Sequence, residues 1–350
     1  MPERLGILTG GGDCPGLNAL IRAVVRYAVN GHGIECVGIL HGWRGLLDCV
    51  TMPLDAEATS GLLPRGGTIL RTSRTNPYHL DDGAQRVVEN IKRLNLDGLI
   101  AIGGDDELVV ARRLFDESQV KVVGIPKTID NDVPGTEYAY GFDSAVNIAM
   151  EAIDRIHTTA ESHDRVMIIE VMGRLTGWIA ACAGMAGGAD FILIPERPVT
   201  VNQVCDAILR RHDRGKDFSI VVVAEGALIS EAEDKPPLRI VQDETPDEFG
   251  VVRFGGVGNR LAKEIGKHTG FQTRVTVLGH LQRGGAPSAF DRVLGTRFGV
   301  AAVDLFAQKK FGRMVALRNG EIVPVPLAIL NEGRREVPDD FFRVAEHFFG

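Results

Sequence analysis

The sequence predicts an α/β protein of two interwoven three-layer lobes with mainly parallel sheets. Three observations lead to this prediction: short apolar runs recur along the 350 residues, helical periodicity fills many of the intervals, and the 42 glycines concentrate at the ends of the apolar runs. Helices between successive strands make crossover connections, which favour parallel pairing. The strand-like runs are Leu5–Leu8, Ile34–Leu40, Gly98–Ile102, Val120–Ile125, Val166–Val171, Phe191–Ile194, Ser219–Ala224 and Val275–Leu278.

The first predicted strand ends in the segment Gly10–Gly16, called the glycine loop below, which leads directly into a predicted helix over 17–29. Glycines let a backbone approach an anion closely, and a helix amino terminus supplies free N–H groups and positive potential. The loop therefore predicts a phosphate site, although it is neither a GxGxxG nor a GxxxxGK[ST] motif. A tight structural turn is the alternative.

Two further predicted strands end in acidic segments. Gly98–Ile102 leads into GGDDE at 103–107, and Val120–Ile125 leads into PKTIDND at 126–132. Because the carboxyl ends of parallel strands gather at one edge of a sheet, both segments should lie beside the glycine loop. Phosphoryl transfer needs metal-binding oxygens, cations and a carboxylate that accepts a proton. Each acid taken alone is typical of a cap or a turn, so the prediction depends on their convergence.

Basic side chains at later loop and strand ends predict that a second, phosphorylated substrate is bound. Arginine binds phosphate through two parallel hydrogen bonds, whereas a lone surface arginine is usually only solvated. The candidates are Arg71, Arg74, Arg165, Arg174, Arg253, Arg274, His280 and Arg283.

Composition and charge exclude several classes of protein. Hydrophobic residues make up 44% and charged residues 24%, which argues against a disordered chain or a coiled coil. With 39 Lys and Arg against 46 Asp and Glu the formal charge is −7, so we expect no nucleic-acid or membrane partner. No window approaches the ~20 apolar residues of a membrane helix, and the early glycines do not fit a secretory signal. We therefore expect a cytoplasmic protein with five reduced cysteines, of which only Cys14, inside the glycine loop, stands where reactivity is conceivable.

These segments, in this order, resemble the bacterial type of 6-phosphofructokinase. The segments that carry the resemblance run from residue 4 to about residue 300 and are GGDCPGLNALIR, PRGGTILRTSR, IGGDDE, PKTIDNDV, AIDRIHTTAESHDR, IIEVMGR, VAEG and TRVTVLGHLQRGG. The resemblance implies two α/β lobes with the active site in the cleft, Mg²⁺, fructose 6-phosphate as acceptor, and a homodimer or homotetramer with shared active sites. It also implies a lobe that binds the phosphoryl donor, 1–141 with about 282–335, and a lobe that binds the sugar phosphate, 142–281 with the C-terminal tail.

Carried over position by position, the resemblance implies roles for individual residues. Asp130 is similar to the base that activates the sugar 1-hydroxyl, and Thr128 and Asp132 shape the same loop. Asp105 matches the acid linked to magnesium, and Gly12 matches the glycine that faces the donor phosphate. Arg74 and Arg174 match cations near the transferring phosphoryl group, and Met172, Gly173 and Glu225 match residues that line the sugar. The residues that match the 6-phosphate site are His280 and Arg283, together with Arg165 and Arg274 from a neighbouring subunit.

The phosphoryl donor is the question on which the family divides. In ATP-using relatives a glycine follows the Asp of the GGD motif and leaves room for the nucleotide α-phosphate, whereas this chain has Asp106. A carboxylate there repels and obstructs ATP. Lys127 is suited to a terminal pyrophosphate oxygen, although some ATP-using relatives also carry it. The pair resembles the pyrophosphate-dependent branch, so we expect a reversible transferase that uses pyrophosphate.

Several alternatives remain open from the sequence. They are an ATP-dependent 6-phosphofructokinase, an enzyme that prefers sedoheptulose 7-phosphate, and a non-catalytic sugar-phosphate sensor. Glu107 stands where members of the family usually have Ser or Thr. It is interpreted either as a third acid beside the metal or as a plain surface substitution. The acidic residues and prolines of Ser230–Gly250 predict that this segment is an exposed loop that extends from the fold. A nucleotide-binding oxidoreductase is disfavoured, because no GxGxxG fingerprint is present.

Overall fold

The structure is a computed structural model that describes residues 2–230, 235–243 and 252–350. Its helices are α1 (Leu17–His32), α2 (Trp43–Asp48), α3 (Gly83–Arg93), α4 (Asp105–Ser118), α5 (Phe142–Ser162), α6 (Trp178–Ala186), α7 (Val201–Asp213), α8 (Val257–Thr269), α9 (Ala289–Ala307) and α10 (Asp339–Glu346). Its strands are β1 (Arg4–Thr9), β2 (Glu35–Ile39), β3 (Thr51–Leu54), β4 (Gly98–Gly103), β5 (Val122–Pro126), β6 (Val166–Val171), β7 (Phe191–Leu193), β8 (Val199–Thr200), β9 (Ser219–Ala224), β10 (Leu228–Ser230), β11 (Leu238–Arg239), β12 (Val241–Asp243), β13 (Arg253–Phe254), β14 (Thr273–Val277), β15 (Arg313–Arg318) and β16 (Glu321–Pro326).

The described residues form two compact units. The first contains 2–144 and 283–335, and the second contains 145–230, 235–243, 252–282 and 336–350. Each unit is built from separate stretches of the chain, so neither is a continuous segment. The ligand expected for each lobe stays a prediction.

The sheet of the first unit has seven strands in the order β16-β15-β5-β4-β1-β2-β3. Its five inner strands are parallel, and β3 and β16 pair antiparallel at the two edges. Leu8 and Leu99 pack with α2, α3 and α4 on one face, while their neighbours Ile7 and Ile100 are buried on the face that α1 and α9 cover. Both faces are therefore covered by helices, which gives the predicted three layers.

The main sheet of the second unit is wholly parallel, with four strands in the order β14-β6-β9-β7. Ile168 and Val221 pack with α7 and α8, whereas Val222 on the opposite face lies near Gly184 of α6. The second unit thus repeats the arrangement of a parallel sheet between helices. Short strands make two small additional sheets, β11-β10-β8 and β12-β13.

All eight predicted strand-like runs overlap observed strands, and the α/β prediction is confirmed. The hairpin of β15 and β16 was not predicted from the sequence. Asn319 and Gly320 join these strands with φ values of 50° and 78°, the conformation of a tight hairpin turn. An Asn-Gly pair between apolar runs is a signal that would have identified this hairpin.

The C-terminal segment packs within the second unit. Phe341 in α10 packs against Trp178 with 5.5 Å between ring centroids, and Phe349 packs against Phe191 with 4.7 Å between centroids. Arg197 forms ion pairs of 2.7 Å with both Asp339 and Glu346. Much of the predicted exposed loop Ser230–Gly250 lies outside the described residues.

Candidate active site

The first unit brings the glycine loop and both acidic segments to one edge of its sheet. They follow β1, β4 and β5, which are neighbouring parallel strands. Backbone hydrogen bonds connect them directly: Gly10 N–H donates to Ile102 O at 3.0 Å, and Lys127 N–H donates to Gly103 O at 2.8 Å. The convergence expected from the sequence is therefore observed.

The glycine loop is connected by hydrogen bonds to the segment before Arg74. Gly11 has a φ of 76°, a conformation that favours glycine, and its N–H donates to Ser73 O at 2.9 Å. The Thr72 hydroxyl in turn donates to Gly11 O at 2.5 Å. Among the hydrogen bonds of the described residues none uses the N–H of Gly12, so that group can donate to an anion. Arg74, which is exposed, directly follows Thr72 and Ser73, the two residues that contact the loop.

Lys127 is buried beneath the glycine loop, with only 2% of its surface exposed. Its ammonium group donates to Gly10 O at 2.9 Å and also to Gly12 O. Burial lowers the pKa of Lys127, and the negative charge of Glu107 opposes that shift. The lysine therefore holds two carbonyl groups of the glycine loop by hydrogen bonds and places a buried positive charge next to the loop.

Glu107 is buried as well, with 4% exposed, so the interpretation of it as a plain surface substitution is wrong. Its carboxylate accepts a hydrogen bond of 3.2 Å from Gly104 N–H. A Cβ at Gly10, Gly11 or Gly103 would lie within 2.6 Å of its side chain, so three glycines leave the space that Glu107 fills. Burial raises the pKa of Glu107, and the charge of Lys127 opposes that shift.

Three carboxylates make up the acid cluster of the first unit: Asp105, Asp130 and Asp132. Asp105 begins α4, and the other two lie in the loop after β5, where Asp130 N–H donates to the Thr128 hydroxyl at 3.1 Å. Both loop carboxylates are buried, each with 7% exposed. Burial raises the pKa of Asp132, and the nearby charges of Asp130 and Asp105 raise it further.

One oxygen of the acid cluster has the character of a cation ligand. Asp132 Oδ1 is buried and has no hydrogen-bond partner. Among the described residues no three His, Cys, Asp or Glu side chains converge as a ready-made metal site. Mg²⁺ commonly takes only one or two carboxylates and fills its remaining positions with water and phosphate oxygens. The acid cluster fits a hard divalent cation of that kind.

The second unit brings a further set of predicted residues together. Met172, Gly173 and Arg174 follow β6, and Glu225 follows its parallel neighbour β9. Gly226 N–H donates to Gly173 O at 3.0 Å, and Glu225 N–H donates to Val171 O at 2.8 Å. Gly173 has a φ of 144°, and a Cβ there would lie 2.7 Å from Thr176 O, so this tight turn requires glycine.

Arg165 and Arg274 lie where the parallel strands of the same sheet begin, at the end opposite to the Gly173 turn. Arg165 directly precedes β6, and Arg274 is the second residue of the neighbouring strand β14. Arg165 Nε donates to Gln272 Oε1 at 3.2 Å, which keeps its side chain at that end. The length of β6 alone separates Arg165 from Gly173 by roughly 17 Å. A single unit therefore does not bring these arginines to the Gly173 turn.

His280 and Arg283 belong to one turn of 3-10 helix, Gly279–Arg283, yet they have different surroundings. His280 is exposed in the second unit. Arg283 belongs to the first unit, where its Nη1 donates to Asp13 O at 2.8 Å and lies against Gly12. This structure thus places the Arg283 guanidinium at the glycine loop, and the predicted 6-phosphate contact stays a prediction.

Arg334 is a residue of the site that the sequence analysis missed. Its Nε lies 3.2 Å from Asp105 Oδ2 and 3.9 Å from Asp132 Oδ2. It lies beyond every segment that carried the family resemblance, and an isolated arginine gives no periodic signal. Only the fold shows that it reaches the acid cluster.

Comparison with known proteins agrees with this geometry. A family model described as Phosphofructokinase matches residues 4–306. A pyrophosphate–fructose 6-phosphate 1-phosphotransferase of Streptomyces coelicolor is 53% identical and covers 99% of this chain and 100% of its own. ATP-dependent 6-phosphofructokinase 3 of the same organism is 48% identical over 98% of this chain and 99% of its own. The structure of a Pichia pastoris phosphofructokinase superimposes with a TM-score of 0.81 at 32% identity over 99% of this chain, which spans 39% of the yeast chain. In the part of the chain that the structure describes, no helix has the length and apolarity to cross a membrane.

Proposed function

The chain belongs to the phosphofructokinase family, and on that premise we propose that it transfers a phosphoryl group between pyrophosphate and the 1-hydroxyl of fructose 6-phosphate. Relatives named for pyrophosphate and relatives named for ATP are both close to this chain, at 53% and 48% identity. Their names therefore leave the donor to be argued from the residues. The cytoplasmic location stays a prediction from the sequence.

The residues that support pyrophosphate are Asp106 and Lys127, which lie in the segments that follow the neighbouring parallel strands β4 and β5. Asp106 lies in the first turn of α4 and directly follows Asp105 of the acid cluster. Its carboxylate repels the α-phosphate of a nucleotide, whereas pyrophosphate has no group beyond its two phosphates. Lys127 puts a buried positive charge directly behind the loop, where it attracts a small, highly charged anion.

The proposed mechanism gives each predicted site residue one role. The glycine loop with Lys127 and Arg74 binds the donor, and Arg174 offsets the charge that develops on the transferring group. Asp130 accepts the proton of the attacking sugar hydroxyl, which bonds to phosphorus as the phosphate leaving group departs. In reverse, protonated Asp130 returns that proton to the 1-oxygen. Met172, Gly173 and Glu225 position the sugar, and His280 and Arg283 bind its 6-phosphate.

Asp105 and Asp132 are the residues that would hold Mg²⁺. The unpartnered Asp132 Oδ1 and the nearby carboxylate of Asp105 suit a cation whose other ligands are phosphate oxygens and water. When bound, Mg²⁺ supplies positive charge that stabilises the phosphate oxygens during transfer. Three neighbouring carboxylates repel one another and an anionic donor, and Mg²⁺ would offset this repulsion beyond the single positive charge that Arg334 supplies.

We further propose a homo-oligomer with shared active sites. Arg165 and Arg274 lie at the sheet edge away from the Gly173 turn, so both groups can serve one sugar phosphate only if a second copy supplies the arginines. The edge strand β14 also carries exposed apolar residues, since Val277 is 52% exposed and Leu281 just beyond it is 70% exposed. Such an edge is suited to cover by another subunit.

The test compares donors on the same protein. Purified enzyme with fructose 6-phosphate and Mg²⁺ should form fructose 1,6-bisphosphate with pyrophosphate and not with ATP. Turnover with ATP alone would contradict the proposed donor and leave the sugar site standing. Failure with both donors would contradict the enzyme function and favour a sugar-phosphate sensor.

Two variants of Asp106 separate charge from space. Asp106→Gly removes both the charge and the side chain, whereas Asp106→Asn keeps the volume and removes the charge. We expect ATP use to appear in the glycine variant and to a smaller extent in the asparagine variant. Lys127 should stay intact in both, because the structure shows that the glycine loop rests on it. If neither variant uses ATP, Asp106 does not set donor choice.

A further inference from the structure

Arg334 reaches the acid cluster from the end of the first unit's chain. It follows a turn of 3-10 helix, Leu327–Glu332, and Gly333, whose φ is 89°. Its Nε lies 3.2 Å from Asp105 Oδ2 and 3.9 Å from Asp132 Oδ2, so one guanidinium bridges two carboxylates. These are the two side chains that fit a divalent cation.

The backbone beside Arg334 is fixed to the same loop. Arg335 N–H donates to Asp132 O at 2.8 Å, and the Arg335 guanidinium donates to Asn131 O at 3.3 Å. The chain before it is also held, because Leu327 N–H donates to Gly312 O at 2.9 Å. The backbone next to Arg334 is therefore held beside the loop that carries Asp132, within reach of the acid cluster.

We propose that Arg334 is a built-in counter-ion that competes with the divalent cation for Asp105 and Asp132. An arginine keeps its charge at every physiological pH, so the competition is permanent. A free cation must displace the guanidinium and then places two positive charges side by side. A cation that arrives with a diphosphate brings negative charge with it, and the displaced guanidinium, 39% exposed, can turn toward those phosphate oxygens. Arg334 thereby favours the metal–diphosphate complex over the free metal.

This inference rests on the proposed function only for the identity of the anion. Binding of the free cation can be measured without any donor or acceptor. The test below therefore gives the same answer whether the enzyme uses pyrophosphate or ATP, and its failure is distinguishable from failure of the proposed function.

The experiment measures binding of Mn²⁺, which prefers the same oxygen ligands as Mg²⁺, from the electron paramagnetic resonance signal of the free ion. Arg334→Gln and Arg334→Met remove the charge, and Arg334→Lys keeps it. The two neutral variants should bind Mn²⁺ alone at least five-fold more tightly than the wild type, and the lysine variant should stay within two-fold of it. When the same mixtures without protein are subtracted, methylenediphosphonate, a non-hydrolysable diphosphate that itself binds Mn²⁺, should increase protein-bound Mn²⁺ more in the wild type than in the neutral variants, and an equal increase in both would overturn the proposal.

Arg4→Gln is the matched control. Arg4 belongs to the same unit and pairs with Glu35 at 3.0 Å with similar exposure, but it begins β1 at the opposite edge of the sheet. The Arg4→Gln variant loses the same net charge as the neutral Arg334 variants, and its Mn²⁺ affinity should equal that of the wild type. Unchanged or weaker Mn²⁺ binding in the neutral Arg334 variants would overturn the proposal, and so would equal tightening in Arg4→Gln or Arg334→Lys.

Discussion

The ammonium group of Lys127 donates a hydrogen bond of 2.9 Å to the carbonyl oxygen of Gly10, so a buried positive charge supports the glycine loop from below. The same ammonium also donates to Gly12 O. Glu107, buried against Gly10 and Gly11, carries the opposite charge. The loop that binds the donor in the proposed mechanism thus lies over two buried groups of opposite charge.

Removing either charge should destabilise the protein through the other one. Lys127→Met leaves Glu107 buried without an opposing charge and two carbonyls without a donor, which we expect to cost about 3–5 kcal/mol of the free energy of unfolding. Glu107→Gln keeps the shape of the side chain and should cost less. The double variant should be more stable than the sum of the two losses predicts, by about 1 kcal/mol or more. Urea denaturation of the four proteins measures this coupling, and strict additivity would show that the two charges do not interact.

Shared active sites should be detectable by mixing inactive variants. Arg165→Ala removes a group that we assign to a neighbouring copy, and Arg174→Ala removes one from the site's own copy. Each variant alone should have little activity at subsaturating fructose 6-phosphate. After dissociation and random reassociation of a dimer, half of the molecules are mixed and contain one intact site of two, so about a quarter of the wild-type activity should return.

The control for this experiment mixes Arg165→Ala with Arg274→Ala. Both changes affect the edge that we assign to the neighbouring copy, so no mixed dimer contains an intact site. Recovery in this control, or none in the first mixture, would contradict the shared site.

Asp291 in α9 should make stability depend on pH. Its buried carboxylate accepts hydrogen bonds from Ser144 N–H at 2.9 Å, from the Ser144 hydroxyl and from Gly141 N–H at 3.2 Å. Burial nevertheless raises the pKa of Asp291 to about 6. An unfolded chain releases the same proton at about pH 3.9, so the folded state binds more protons between these values and stability falls as the pH rises through them.

The comparison uses Asp291→Asn, which does not titrate. Between about pH 4 and pH 6 the wild type should lose up to about 3 kcal/mol relative to this variant, as measured by urea denaturation at several pH values. A constant difference between wild type and Asp291→Asn across this range would contradict the prediction.

Cys14 should be unreactive in the folded protein, despite its place in the glycine loop. Its side chain is fully buried, and a Cβ at Gly141 would lie 2.5 Å from its Sγ. Burial raises the pKa of the Cys14 thiol to about 12, which leaves very little thiolate near neutral pH. Iodoacetamide should label the partly exposed Cys49 and Cys182 first, and Cys14 only after unfolding. Mass spectrometry of timed samples would contradict this if Cys14 were among the first labelled.

The local signals in the sequence were sufficient for the strands and for the edge where the chemistry lies. Apolar runs that end in glycine or acidic segments located β1, β4 and β5, and parallel pairing then required their carboxyl ends to meet. These features depend on residues adjacent in sequence, so they can be predicted without coordinates. The hairpin of β15 and β16 was missed although its Asn-Gly turn was available.

The sequence by itself determined the α/β class, the family and the residue types available for phosphoryl transfer. Only the tertiary structure decided that Glu107 is buried opposite Lys127 and that Arg334 bridges Asp105 and Asp132. The physical reason is that burial and charge pairing depend on which side chains meet across the fold. Arg334 is separated from Asp105 by more than half of the chain, and no local pattern records such a contact.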